Sequence, residues 1–242
     1  MKSIQPSSQF ADDDGSADAE LTRLLSGYAT GTIPLRDVVA RLAETRVLVP
    51  VLAELGVAEQ NPEGLLVDKE ASSGIVALEA PDGRRALPVF TSVVAMRAWR
   101  PDARPVPVEA PRAALSAVNE NWALIVVDPA GPATALVPRP AVWALAQGKA
   151  WQPALVPHED GFAVDPEIAA EVVVAAAPVR HVVRAHAEPG RKAEVAVVLA
   201  LDPGLDRAGL DTVLGQVNAR LAASEAISAR VDSLELRVGA AR

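Results

Sequence analysis

Apolar residues follow helical spacing at the start of the chain and then change to short continuous runs. Three leucines on one helical face predict a helix over residues 18–28, and Ile33-Pro34 begins a second helix with proline in its first turn. Residues 47–51 form a continuous β-branched run, which is typical of a buried strand. The pattern therefore predicts two helices followed by a strand.

A hairpin is predicted where an Asp-Gly pair at residues 82–83 lies between two apolar runs, residues 74–78 and 85–90. Glycine supplies the positive φ that a tight hairpin turn requires. Thr91 or Ser92 is expected to cap the helix that follows, and a cap is the favoured role for Thr91. Strands are then predicted over residues 104–108, 122–127 and 134–137, and helices over residues 111–118 and 140–147.

The second half of the chain has its own order of elements, α-β-β-α-β. Its helices are predicted over residues 165–176 and 210–221, and its strands over residues 179–187, 193–201 and 229–238.

The predicted organisation has four parts. A disordered acidic tail covers residues 1–17, and a first lobe covers residues 18–148. Residues 149–161 show little regular pattern and are interpreted as a linker. A second lobe covers residues 162–242. Each lobe is expected to be a mixed β-sheet flanked by helices, so the predicted fold class is α/β.

The composition favours a protein with a packed core. Half of the residues are hydrophobic and 3% are aromatic, so the core is expected to consist mainly of Ala, Val and Leu. No apolar run reaches the roughly 18 residues that a bilayer span needs, and residues 1–11 do not resemble a secretory signal. The chain has no cysteine, which excludes disulfides, thiolate metal sites and cysteine nucleophiles. We therefore expect a cytoplasmic location.

Acidic residues dominate the charge, and the formal net charge is −8. Five carboxylates and one lysine fall within residues 1–20, which is typical of a solvated tail. The sequence has no basic stripe with interleaved aromatic residues, so nucleic-acid binding is not expected. Membrane association is not expected either, and nothing in the sequence indicates an oligomeric state.

Three stretches of the first half resemble the N-terminal domain of bacterial SseB proteins. They are LAETRVLVPV at residues 42–51, DGRRALPVFTSVVAMRAW at residues 82–99 and WALIVVDPAGP at residues 122–132. The rest of the chain, from about residue 149 to residue 237, is similar in its order of elements to the C-terminal domain of that family. The resemblance implies a fold and implies no catalytic residue. The family usually has Asn-Pro-Gly after its buried strand, where this chain has Asp-Pro-Ala-Gly at residues 128–131.

Asp128 and Asp202 are the carboxylates best placed for a ligand site. Each follows a predicted buried strand, at the carboxyl end where the ligand crevices of α/β sheets form. The favoured interpretation is nevertheless structural, with each carboxylate accepting local backbone N–H bonds in a Pro-Gly turn. No glycine spacing typical of a phosphate-binding loop is present. The sequence predicts no catalytic, cofactor-binding or metal-binding residue, and no cofactor.

The tryptophans divide into two groups. Trp99, Trp122 and Trp143 lie in apolar patterns and are predicted to be core residues. Trp151 has no periodic pattern around it. It is predicted to pack between the lobes, with an exposed anchor for a partner protein as the alternative, because Trp is enriched at interface hot spots.

Two functional hypotheses remain open. The favoured one is a non-catalytic protein-interaction or regulatory module that binds a protein partner. The alternative is a small-molecule binding protein or enzyme, related to amino acids as the family label "enhanced serine sensitivity" suggests. Its site is expected in the cleft between the lobes, with Asp128 and Asp202 as candidates. A pocket with converging polar groups and a perturbed carboxylate would favour the alternative, and an apolar patch or an exposed strand edge would favour the interaction module.

Overall fold

The computed structural model describes residues 10, 12–53, 73–75, 77–80, 82–159 and 161–241. The chain divides into a first unit, Met1–Ala150, and a second unit, Trp151–Arg242. Both units combine helices with small sheets, which confirms the predicted α/β class. Within the described ranges, no helix has the length and apolar character that crossing a membrane requires.

The first unit alternates helices and strands along the chain. Its helices are α1 (Ala19–Ala29), α2 (Leu35–Leu42), α3 (Val93–Trp99), α4 (Ala110–Asn119) and α5 (Arg139–Ala146). Its strands are β1 (Arg46–Ala53), β2 (Ser73–Ile75), β3 (Leu78–Glu79), β4 (Arg85–Val89), β5 (Arg104–Glu109), β6 (Leu124–Val127) and β7 (Ala135–Val137). They form a three-stranded antiparallel sheet in the order β2-β1-β5 and a four-stranded sheet in the order β3-β4-β6-β7.

The two sheets of the first unit are joined where Leu48 of β1 faces Phe90. The two residues exchange backbone hydrogen bonds of 2.8 and 2.9 Å, and both side chains are buried. In the four-stranded sheet, β4 and β6 are parallel, whereas the outer pairs are antiparallel. The carboxyl ends of parallel strands meet at the same edge of a sheet. Thr91 and Asp128, which lie just beyond these two ends, are therefore brought together.

Residues 12–17 are held against the first unit, so the predicted disordered tail is wrong for this stretch. Arg46 donates through Nε and Nη2 to both carboxylate oxygens of Asp13. The carbonyl of Gly15 accepts the N–H of Val93 at 2.9 Å. An acidic composition predicts a solvated segment. Here the Asp13 carboxylate binds Arg46, 33 residues further along the chain, and this ion pair holds the segment in the fold. Residues 1–9 and Ala11 of the predicted tail lie outside the described residues.

The second unit starts with a hairpin and continues with a sheet against helices. Its helices are α6 (Pro166–Ala176), α7 (Arg207–Ala223) and α8 (Glu225–Arg230), and its strands are β8 (Leu155–His158), β9 (Gly161–Val164), β10 (Val182–Pro189), β11 (Val195–Leu201) and β12 (Leu234–Ala240). β8 pairs with β9, and the sheet has the order β10-β11-β12. β10 and β11 are antiparallel, whereas β11 and β12 are parallel.

The core of the second unit follows the two periodicities that the sequence shows. Val195, Val197 and Leu199 alternate along β11 and are fully buried. The helical stripe of α7 contributes Val213 and Val217 to the same cluster. The core therefore consists of small aliphatic side chains, as the composition indicates.

The linker interpretation is wrong for residues 155–158 and Gly161, which belong to strands of the β8–β9 hairpin. A long-range contact orders the chain just before it. Arg230 donates through Nη2 to the carbonyl of Pro153 at 3.0 Å and lies 2.9 Å from the carboxylate of Asp165. Local periodicity carries no information about an arginine 77 residues away.

The last predicted strand starts too early. Residues 225–230 form the additional helix α8, and β12 begins at Leu234 rather than at residue 229. The Oγ of Ser224 accepts the N–H of Ile227, whose side chain is buried. A capped turn of helix with one buried anchor is too short to leave a clear period of 3.6 in the sequence.

Candidate functional site

A pocket of about 380 Å³ lies in the first unit at the carboxyl ends of β4 and β6. Helices α1 and α3 and the loop of residues 128–133 form its walls. Most of the lining is apolar, and Leu25, Val94, Ala98 and Trp99 contribute to it. Ligand pockets in proteins usually span roughly 300–1,000 Å³, so this pocket matches a small ligand or one or two side chains of a partner.

The polar floor of this pocket is a pair of residues, Thr91 and Asp128. One carboxylate oxygen of Asp128 accepts the backbone N–H of Thr91 at 2.8 Å, and the other accepts its hydroxyl at 2.7 Å. Thr91 is buried. The prediction that Thr91 caps α3 is therefore wrong. Ser92 is the cap, because its Oγ accepts the N–H of Ala95 at 3.1 Å.

Ser92→Ala is expected to lower the free energy of unfolding of the first unit by about 1 kcal/mol, because α3 loses its N-cap. Chemical denaturation measures the change. Ser116→Ala is the matched control, since the Ser116 hydroxyl donates to the carbonyl of Arg112 in its own helix at 3.1 Å and caps no helix. An equal loss at both positions would contradict the assignment of the cap.

The Asp128 side chain does not bond to its own turn, which corrects the interpretation favoured from the sequence. The backbone carbonyl of Asp128 closes the turn instead, accepting the N–H of Gly131 at 3.0 Å and the hydroxyl of Thr134 at 2.7 Å. Asp128 and Ala130 have φ values of 47° and 62°. A non-glycine residue in this left-handed region costs roughly 1 kcal/mol, so tertiary contacts hold the loop in shape.

Burial raises the pKa of the Asp128 carboxyl above its ordinary value, and the two hydrogen bonds from Thr91 offset this only in part. Asp128 follows β6, and Thr91 follows β4, so the parallel pairing of these strands creates the contact. The contact joins residues 37 positions apart, so no local sequence pattern reveals it.

Arg46 connects the N-terminal segment to this floor. Its Nη1 donates to the carbonyl of Thr91 at 2.5 Å, while its other nitrogens bind Asp13. The hydrogen bond from Arg46 holds the pKa of the Asp13 carboxyl below its ordinary value. Ala17, four residues after Asp13, lines the pocket. One arginine therefore holds the N-terminal segment and the pocket floor in a single network.

The remaining polar side chains of the wall are mostly engaged within their own helices. On α1, the hydroxyl of Thr22 donates to the carbonyl of Asp18 at 2.8 Å. The hydroxyl of Ser26 donates to the carbonyl of Thr22 at 2.9 Å. At the rim, Val94 is 79% exposed. The pocket therefore presents a predominantly apolar surface with few polar groups available to a ligand.

Asp202 lies in the second unit, whereas Asp128 lies in the first. The carboxylate of Asp202 is 3.1 Å from Nδ1 of His181, and the backbone N–H of Asp202 donates to the His181 carbonyl at 3.0 Å. The side chain of Asp202 is half exposed. Throughout the part of the chain that the structure describes, no three His, Asp or Glu side chains gather as a metal-ligand cluster.

The prediction that three tryptophans are core residues is not confirmed, because Trp99 and Trp122 are only partly buried. Trp143 is 46% exposed, because α5 turns Ala141, Val142 and Leu145 inward instead. Trp151, the first residue of the second unit, is buried, and its Nε1 has no hydrogen-bond partner among the described atoms. Its proposed contact with the other lobe or with a partner stays a prediction.

A family model of the SseB protein N-terminal domain matches residues 21–144. The chain belongs to the SseB family. The match confirms the resemblance of the first half and contains α3, the loop of residues 128–133 and nearly all of α1. The pocket of this SseB family member is thus built almost entirely from the matched domain. Comparisons with curated proteins and with solved structures give no match. The likeness of the second unit to the SseB C-terminal domain stays a prediction.

Proposed function

We propose that this SseB family member is a non-catalytic interaction module, whose first unit binds an apolar segment of a partner protein in the pocket between α1 and α3. The observation that carries the proposal is the lining of that pocket. Its walls are mainly aliphatic and aromatic, and Val94 is strongly exposed at the rim. Burying apolar surface stabilises a complex in proportion to the area removed from water, so an apolar side chain is the occupant that gains most here.

The state of Asp128 supports binding rather than proton transfer. Both of its oxygens already accept hydrogen bonds from Thr91. A general base must be able to approach the proton that it removes, and here that approach requires breaking contacts that hold the floor. The carboxylate therefore serves to fix Thr91 and the loop of residues 128–133.

Charge around the pocket favours a partner with basic residues beside its apolar anchor. The formal net charge of the chain is −8. The segment that contains the lining residue Ala17 also carries the exposed acidic residues Asp12 and Asp14. Opposite charges at an interface rim accelerate association and make it sensitive to salt. We propose a cytoplasmic partner segment with one or two large apolar side chains flanked by Lys or Arg.

Val94→Asp is expected to weaken binding of such a segment roughly tenfold or more, because a charge would lie beside the buried anchor. The probe is a displayed library of short peptides, each with a central Leu, Ile, Phe or Trp flanked by Lys or Arg. Affinities of selected peptides are measured by fluorescence anisotropy at two salt concentrations. Val174→Asp is the control, since Val174 is 64% exposed on helix α6 of the second unit. Equal affinity for Val94→Asp and the unmodified chain would refute the proposal.

A small-molecule ligand of the same pocket is the second candidate. It is favoured by the pocket volume of about 380 Å³ and by the raised pKa of Asp128. A thermal-shift screen with apolar amino acids and related small molecules tests it, because a ligand that binds only the folded state raises the melting temperature. Stabilisation that Val94→Asp abolishes, with no peptide selected, would favour this candidate over the interaction module.

A further inference from the structure

Strand β12 lies at an edge of the sheet of the second unit. Its described neighbour is β11, with which it pairs in continuous parallel register from Leu234 to Ala240. Two apolar side chains on this strand are exposed, Leu234 at 36% and Val238 at 44%. Natural proteins usually protect such edges with proline, lysine, a bulge or a very short strand, because a free edge pairs readily with another chain. β12 has seven residues without proline, lysine or a bulge, and its two charged residues, Glu235 and Arg237, are of opposite sign.

The direction of the backbone groups on β12 follows from its two terminal contacts. The carbonyl of Ser233 accepts the N–H of Val195, and the N–H of Ala241 donates to the carbonyl of Leu201. Backbone groups alternate in direction along a strand. The odd-numbered residues of β12 therefore direct their backbone N–H and C=O groups towards β11. The N–H and C=O groups of Leu234, Leu236 and Val238 point in the opposite direction, outward from the edge of the sheet.

The residue pattern of β12 is complementary to itself. We propose that β12 pairs with β12 of a second copy of this chain, antiparallel about a two-fold axis at Leu236. In this register, Leu234 faces Val238 of the second copy, so the two exposed apolar residues cover each other. Glu235 faces Arg237 of the second copy, and the symmetry repeats both contacts. An isologous dimer of this kind joins the two sheets into one continuous sheet.

The same register gives the charged residues their closest approach. Residues whose backbone groups point away from the partner strand form non-hydrogen-bonded pairs, in which the Cα atoms are only about 4.5 Å apart. Glu235 and Arg237 belong to this class. Within one chain, Arg237 already bonds Glu235 and Glu188, so both groups are held on the same face of the sheet.

Neighbouring registers are electrostatically unfavourable. An axis at Arg237 places Arg237 opposite its own copy, and an axis at Glu235 places Glu235 opposite its own copy. Like charges directly opposite each other destabilise a strand pair. The axis at Leu236 brings only opposite charges and apolar residues together, which singles out this pairing.

The proposal is tested on the full chain by reversing single charges on β12 and then mixing the two variants. Sedimentation velocity over a range of concentrations is expected to show a monomer–dimer equilibrium. Glu235→Arg and Arg237→Glu are each expected to weaken the homodimer roughly tenfold or more, because each places like charges opposite each other twice. An equimolar mixture of the two variants is expected to restore dimerisation, since both charged contacts across the axis then join one positive and one negative side chain.

Two further variants serve as controls for misfolding and for general effects of charge. Glu235 also accepts the N–H groups of Arg191 and Lys192, so Val238→Lys supplies a disruptive change outside this network. Asp211→Arg, exposed on α7, makes the same charge change as Glu235→Arg and is expected to leave dimerisation unaltered. Circular dichroism confirms folding. A monomer at every concentration, a dimer insensitive to these edge substitutions, or a mixture that fails to reassociate would each overturn the proposal.

Discussion

Replacing Arg46 with alanine is expected to lower the free energy of unfolding of the first unit by about 2 kcal/mol, because it leaves a partly buried carboxylate without its partner. The side chains of Arg46 and Asp13 are 15% and 13% exposed. The same arginine also bonds the carbonyls of Ser16 and Thr91. The substitution therefore removes the partner of Asp13, frees residues 12–17 and loosens the pocket floor together.

Chemical denaturation measures the stability change, and hydrogen exchange at residues 13–16 detects release of the segment. Arg46→Lys is expected to give an intermediate loss, because lysine retains the charge but lacks the forked geometry that binds both oxygens. Arg23→Ala is the control, since its ion pair with Glu20 is solvent-exposed on both sides and contributes little. A loss in Arg46→Ala no larger than that in Arg23→Ala would show that the network does not stabilise the fold.

The pH dependence of this network has a definite direction. The folded-state pKa of Asp13 is lowered, chiefly by the hydrogen bond from Arg46. The contribution of the pair is therefore complete above about pH 4, the ordinary Asp value, and is lost as pH falls through the lowered pKa. The stability difference between the unmodified chain and Arg46→Ala should accordingly shrink in acid.

Replacing Asp128 with alanine is expected to lower the free energy of unfolding by about 2–3 kcal/mol, because the N–H and hydroxyl of buried Thr91 both lose their acceptors. Asparagine at the same position is expected to retain most of the stability. Its amide oxygen accepts the Thr91 N–H, its NH₂ donates to the hydroxyl oxygen, and asparagine tolerates the left-handed backbone of residue 128.

A double-mutant cycle with Thr91→Val tests this account. Asp128→Ala and Thr91→Val are expected to be non-additive, because both remove the hydrogen bond between the hydroxyl and the carboxylate, whereas the bond from the backbone N–H is lost only in Asp128→Ala. Additive losses would mean that the two residues act independently.

The pH dependence of Asp128 is opposite in sign to that of Asp13. Burial raises the folded-state pKa of Asp128, so the folded protein binds this proton more tightly than the unfolded chain does. The stability that the group contributes is therefore greatest below its unfolded pKa and declines as pH rises through the raised value. Relative to Asp128→Asn, which does not titrate, the unmodified chain should gain stability as pH falls from about 7 to about 4.

Sequence patterns predicted those parts of the fold that local periodicity determines. The leucine stripe places α1 within one residue of its observed start, and the β-branched run at residues 47–51 lies inside β1. The α8 helix and the β8–β9 hairpin were not predicted, because Ser224 caps a helix of six residues and Arg230 acts across most of the second unit. Such long-range contacts leave no periodic signal.

Asp128 was singled out from the sequence as a candidate site residue, whereas its partner Thr91 was assigned a different role, as a helix cap. The position of Asp128 after a buried strand indicates a site at the end of β6, which is where the pocket lies. Thr91 follows an equally apolar strand, and the parallel pairing of the two strands would have indicated the contact. The contacts of the N-terminal segment were missed because an acidic composition predicts solvation unless a partly buried arginine is known to face it.

The distribution of tryptophan determines what intrinsic fluorescence reports. Of the four tryptophans, Trp99, Trp122 and Trp143 belong to the first unit, and Trp151 is the sole indole of the second. Emission from the unmodified chain therefore follows mainly the first unit, with Trp143 already solvated in the folded state. Replacing the other three with phenylalanine converts buried Trp151 into a single spectroscopic reporter at the start of the second unit, whose emission follows the loss of its own buried environment during unfolding.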